Sequence, residues 1–120
     1  MNKKRKKGPG FFRVWHELID SEAWKELSCY ARTVYIEIGR KYNGSNNANL
    51  SYTYREASKI MHKNTFTKAL KELVNNGLID IIRSGGLYRK NTIYGLSDRW
   101  RFYGRNNFKI GKLKVADKNF

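Results

Sequence analysis

A change of hydrophobic period near residue 77 constrains this chain more than any other feature. Phe66, Ala69, Leu70 and Leu73 recur at three-and-four spacing, which is one face of a helix. Ile79, Ile81 and Ile82 then crowd a β-rich run over 78–83. The pattern predicts a helix over 64–76, with Asn64 as its N-cap and Gly77 as the left-handed residue that closes it. Its outward set is Thr65, Thr67, Lys68, Lys71 and Asn75, with the acid Glu72 to one side. Gly85-Gly86 permits a tight turn with positive φ, and 92–96 returns as a second strand. Between them, 87–91 is too long for a two-residue loop; it reads as a flexible projecting tip carrying Arg89 and Lys90.

Upstream of that helix, Thr53 and Glu56 have the spacing of a capping box, which opens a helix over 53–61. Ala57, Ile60 and Met61 are its expected inner face, and Arg55 and Lys59 its exposed cations. A short strand is expected over 50–52, after the polar loop at 43–49. Ser28 is placed to cap a helix running to about residue 42, whose apolar face is Ala31, Val34, Tyr35, Ile38 and Tyr42. Ser21 similarly caps a short helix over 22–27. Phe11, Phe12, Val14, Trp15, Leu18 and Ile19 supply core material without one clean period. After residue 96, Ser97 can cap a turn that returns Trp100, Phe102 and Tyr103 to the core. The expected organisation is a basic arm over 1–10, disordered in the free protein, one domain over 11–103, and a basic tail over 104–120.

At 120 residues the chain suits one small core. Its 25 Lys and Arg against 10 Asp and Glu leave a net charge of +15, which calls for a polyanionic partner. Charge does not choose among DNA, RNA and an anionic membrane surface. The excess is uneven: Lys3, Lys4, Arg5, Lys6 and Lys7 face no acid in the arm, and 98–120 holds seven cations against Asp98 and Asp117. Glu17, Asp20, Glu22 and Glu26 make 17–26 the acidic stretch, which phosphate would repel. No apolar run approaches the ~18 residues of a membrane span, and no apolar segment follows the basic start as in a secretory signal. The expectation is a cytoplasmic, nucleoid-associated protein. Cys29, the single cysteine, excludes an internal disulfide and is expected to be buried.

The run NTFTKALKELVNNGLIDI resembles the recognition helix and first wing strand of winged helix-turn-helix DNA-binding domains. Thr65, Phe66, Leu70, Leu73, Gly77, Leu78 and Ile79 match that pattern in order. LSCYARTVYIEIGRKY is similar to the first helix of plasmid and phage replication initiators and transcriptional regulators. His62-Lys63 stands at the turn where such proteins often have Gly. The resemblance covers about residues 27–96 and implies an α+β winged helix-turn-helix: three main helices, a C-terminal β-hairpin wing and basic tails. It implies double-stranded DNA as the partner, bound by a single-domain regulator or replication-associated factor as monomer or homodimer. Recognition-helix contacts would come from Thr65, Thr67, Lys68 and Lys71. The residues themselves add Arg55, Lys63 and Asn64 near the helix start, Arg89 and Lys90 on the wing, and the arm cations on phosphates.

Two alternatives carry the same charge. One is a ribosome-associated RNA-binding module, which would use the tails and aromatics. The other is a winged helix used for protein assembly. An enzyme is not expected: His16 and His62 are far apart in sequence, and no Cys/His cluster suited to zinc or glycine-rich phosphate loop with its Lys is present. No cofactor is expected. Because arm cations would release counterions without reading bases, removing residues 1–7 should weaken binding to a similar degree on every duplex. It should also lower the salt slope by about 0.9 for each arm cation engaged, measured by titration across salt concentrations. An unchanged slope would show that the arm takes no part.

Overall fold

Capping side chains begin most of the helices. Ser21 Oγ accepts from the Trp24 amide at 3.2 Å and opens α2 (Glu22–Lys25), which follows the single turn α1 (His16–Ile19). Ser28 Oγ accepts from the Ala31 amide at 3.1 Å and opens α3 (Cys29–Gly39). Thr53 and Glu56 complete the expected capping box at α4 (Tyr54–Ala57). The computed structural model describes residues 10–83 and 92–108. Most of the basic arm, the hairpin tip with Arg89 and Lys90, and most of the C-terminal tail lie outside the described residues.

The longest helix, α5 (Lys63–Asn75), is capped two residues earlier than its sequence signal suggested. His62, not Asn64, is the N-cap: its Nδ1 accepts from the Asn64 amide at 3.0 Å. The ring nitrogen takes the role a Ser, Asp or Asn oxygen fills at other N-caps, and Asn64 is left on the first turn. The far end is a complete Schellman motif. The Leu78 amide donates to the Leu73 carbonyl at 2.9 Å and the Gly77 amide to the Val74 carbonyl at 3.2 Å. Gly77 takes φ +89°, as that motif requires.

The architecture is α+β. Strands β1 (Leu50–Ser51), β2 (Ile79–Arg83) and β3 (Ile93–Leu96) form an antiparallel sheet in the order β1-β3-β2. Leu50 opposes Tyr94 across β1–β3, and Ile81 opposes Tyr94 across β2–β3. The register shifts between Ile81 and Arg83, so Ile82 is the extra residue of a bulge and its side chain is exposed. The Ile81-Ile82 doublet, which breaks strict alternation, is its sequence trace.

Helices α3 and α5 pack most extensively against each other, and α5 also meets α4 and β2. One continuous core results. It holds Val34 and Ile38 of α3, Phe66, Leu70 and Leu73 of α5, and Leu50, Ile79 and Tyr94 of the sheet. Each such aliphatic or aromatic side chain contributes about 1.5–3 kcal/mol by leaving water. Burial pushes the Tyr35 phenol up to about 12, and raises that of Tyr94. The 3₁₀ turn Arg99–Phe102 closes the far side: Trp100 is buried, and Arg99 reaches Asp80 and the carbonyls of Val74 and Ile79 at 2.8–3.1 Å.

Several expected core positions are instead exposed. Helix α4 ends at Ala57 and tightens into i→i−3 bonds, which turns Ile60 outward while Met61 stays half-buried. Cys29 is exposed because it is the first residue of α3, on the side opposite Ala31 and Val34. Phe102 points outward as well. Residues 10–15 alternate in burial: Phe12 and Val14 pack inward while Phe11, Trp15 and, beyond them, Ile19 are exposed.

The corner at Gly77 has no room for a side chain. A Cβ there would lie 2.7 Å from the Trp100 amide nitrogen and 2.8 Å from the Arg99 carbonyl carbon. Gly77→Ala should therefore cost on the order of 2 kcal/mol or more, combining left-handed strain with a backbone overlap. Chemical denaturation checks this. A loss below about 0.5 kcal/mol, the size of a neutral surface change, would contradict the geometry.

Candidate nucleic-acid interface

With Phe66, Ala69, Leu70, Leu73 and Val74 turned inward, helical geometry leaves Asn64, Lys68, Lys71 and Asn75 outside. Their spacing of four, three and four makes one straight stripe, about 16 Å long at 1.5 Å per residue. All four are exposed, as are Lys63 beside them and Arg55 on α4. Thr65 and Thr67 are half-buried along the flanks. The stripe and its flanks thus collect six of the residues expected to bind DNA, Lys63, Asn64, Thr65, Thr67, Lys68 and Lys71, while Arg55 is exposed on α4, which packs against α5. The remaining expected residues, Arg89, Lys90 and Lys3, Lys4, Arg5, Lys6 and Lys7, lie outside the described residues.

Thr67 is not a free hydroxyl. Its Oγ1 donates to the Lys63 carbonyl at 3.1 Å and lies 3.1 Å from the Tyr54 phenol oxygen. The Tyr54 ring stands edge-on to Phe66 at 5.1 Å, so its hydroxyl reaches the rim of the α5 surface while its ring packs on a core residue. Tyr54 was not anticipated as part of this surface. Its signal was its position directly after the Thr53 cap, at the start of the helix that crosses α5.

The acids near this surface are occupied elsewhere. Glu72 accepts from the Ser28 amide at 2.7 Å and from Ser28 Oγ at 3.0 Å, so the single carboxylate of α5 caps α3. Glu56 closes the α4 capping box and pairs with Lys41 at the end of α3. That Lys41 hydrogen bond, helped by the Thr53 amide, holds the Glu56 carboxyl below its usual range. The acidic stretch joins the other end of α5. The Asn76 carboxamide donates to the Ala23 carbonyl at 2.9 Å, Glu17 pairs with Arg101 at 2.8 Å, and Glu26 accepts from Tyr103 at 2.7 Å. The last bond keeps the Tyr103 phenol protonated to higher pH.

Arg99 and Arg101 belong to the cation-rich C-terminal stretch, yet both are engaged by acids of the folded domain. Among the described residues, no cluster of His, Cys, Asp and Glu could hold a metal ion. No helix among them is long and apolar enough to cross a membrane. No protein-family model, curated protein or solved structure matches the chain.

The Glu56 arrangement makes a pH prediction. A carboxyl whose folded value is depressed adds stability that is fully present above its unfolded value, near 4.5, and is lost as pH falls through the depressed folded value. Glu56→Gln should lower the melting temperature at neutral pH, and the gap to the native protein should shrink only below about pH 4.5. A gap independent of pH would show that the charge on Glu56 contributes nothing.

Proposed function

We propose that the chain is a non-catalytic, double-stranded-DNA-binding protein of winged helix-turn-helix type. In this reading α5 enters the major groove. The carrying observation is the stripe Asn64-Lys68-Lys71-Asn75: exposed, acid-free, and mounted on a helix whose reverse face is the core. A major groove admits one α-helix, and Asn and Lys side chains can bond purine edges there. Lys63, Arg55 and the Tyr54 hydroxyl would meet flanking phosphates, which fix register without reading sequence. Thr67, already bonded to Tyr54 and Lys63, would orient the helix and offer its methyl to a base.

The element order α3, β1, α4, α5, β2, β3, with β1 paired to β3, is compatible with a winged-helix layout. The loop carrying Arg89 and Lys90 would then serve as the wing, and a duplex partner implies association with the nucleoid. The biological role in this reading is a transcriptional regulator or replication-associated factor.

Selection from a random duplex pool should enrich a defined motif, and its symmetry would report whether one or two copies bind. Lys68→Ala with Lys71→Ala should weaken the enriched site by about 10-fold or more, since each base contact contributes roughly 1–3 kcal/mol. A random duplex should lose less. Equal loss on every sequence would make α5 a phosphate anchor, and no loss would remove it from the interface.

A further inference from the structure

Residues 10–15 form a second surface that the reading of α5 does not use. The segment has no regular secondary structure and alternates in exposure: Phe12 and Val14 pack against the core, whereas Phe11, Arg13 and Trp15 face solvent. It is firmly fastened. Phe12 lies over Gly39, where an added Cβ would come within 2.2 Å of its ring, and its ring packs tilted against Tyr35 with centroids 5.6 Å apart. The outward residues form a ladder of planar groups. The Arg13 guanidinium carbon sits 5.6 Å from the Phe11 ring centroid and 5.4 Å from that of Trp15. Phe11 is 78% and Trp15 53% exposed, an unusual outlay of aromatic surface in a small domain.

Beside the ladder runs an open groove of about 1460 Å³, floored by the end of α3 and the Ser97–Arg101 turn. Its charge is asymmetric. Lys41, Arg101 and Asp80 on its walls are each held in an ion pair. Arg13 and Arg40 have no carboxylate partner among the described residues, and the acid Asp98 is the one counterweight on the wall. We propose that Phe11, Arg13 and Trp15 are a stacking platform for the unpaired bases of single-stranded DNA, with Arg13 and Arg40 meeting its phosphates.

Exposed ring faces beside uncompensated guanidinium groups match the alternation of bases and phosphates along a single strand. A second copy of the chain would bring the same cations and a charge of +15 against its own kind. An acidic peptide would satisfy the arginines but leave the ring faces unmatched. The choice of DNA over RNA rests on the reading of α5 as a duplex-DNA helix; the stacking does not.

The test uses the full chain and oligothymidylate of about 20 nucleotides, longer than one site of this kind. Trp24 and Trp100 are buried, so quenching of exposed tryptophan emission reports on Trp15. Binding should quench that emission. Phe11→Ala and Trp15→Ala should each weaken oligothymidylate binding by about 5-fold or more while duplex affinity and melting temperature hold. Trp15→Phe should keep the affinity and lose the quenching. Aromatic variants that bind oligothymidylate like the native chain would overturn the proposal, since the basic tails would then account for binding. So would polyglutamate that binds as tightly with the same losses, or self-association that both alanine variants abolish. Tighter binding of oligouridylate would overturn the assignment to DNA. Failure of duplex selection with these results intact would defeat the α5 reading alone.

Discussion

Burial of one face of α5 is the constraint on which the rest of the molecule depends. Phe66, Leu70 and Leu73 supply the centre of the core, and α3, α4 and β2 each pack against the helix that carries them. A helix buried on one side has its other side determined by the 3.6-residue period. Asn64, Lys68, Lys71 and Asn75 are therefore presented by the same packing that stabilises the domain. The two ends are secured separately, by the His62 ring at the start and the Gly77 Schellman turn at the finish. The stripe is consequently held on a rigid element, which groove recognition requires.

Electrostatics sharpen that surface by subtraction. Ten acids oppose 25 cations, and the acids closest to α5 are consumed inside the fold. Glu72 caps α3, Glu56 caps α4 and binds Lys41, and Asp80 holds Arg99 at the corner where α5 meets β2. These bonds serve two ends. They satisfy backbone amides and orient helices, and they withdraw negative charge from the neighbourhood of the stripe. Such pairs are partly exposed and contribute modestly to stability. Their larger consequence is the sign of the field outside.

The two proposed contacts differ in physical character. The α5 stripe consists of hydrogen-bonding and cationic groups suited to a groove of fixed shape. The ladder at residues 11–15 consists of ring faces and a guanidinium plane suited to bases already unpaired. A protein with both could grip a duplex and a neighbouring single strand, and the basic arm joins the chain directly beside the ladder. Both surfaces depend on α3: its middle packs α5, and Gly39 near its end seats Phe12.

Much of the fold was legible because it follows from local chemistry. The caps at Ser21, Ser28 and Thr53, the glycine at 77, and the α3 and α5 faces are each encoded within a turn or two of chain. The outward placement of Lys63, Asn64, Lys68 and Lys71 on α5 was legible for the same reason. What failed lay at helix ends, where neighbouring residues compete for the cap, or needed a distant neighbour. His62 displaced Asn64 as the cap. Cys29 proved exposed because it lies on the outer side of the first turn of α3, and Ile60 because α4 ends at Ala57. The alternation at 11–15 could not be assigned until Gly39 offered a socket for Phe12. Likewise, Glu72 bonds Ser28 across 44 residues and Arg99 reaches Asp80 across 19. The sequence by itself determined which helix would have an apolar back and a basic front, since periodicity is local. Only the tertiary structure decided which charges stay free and which aromatics face water, because those depend on what packs beside them.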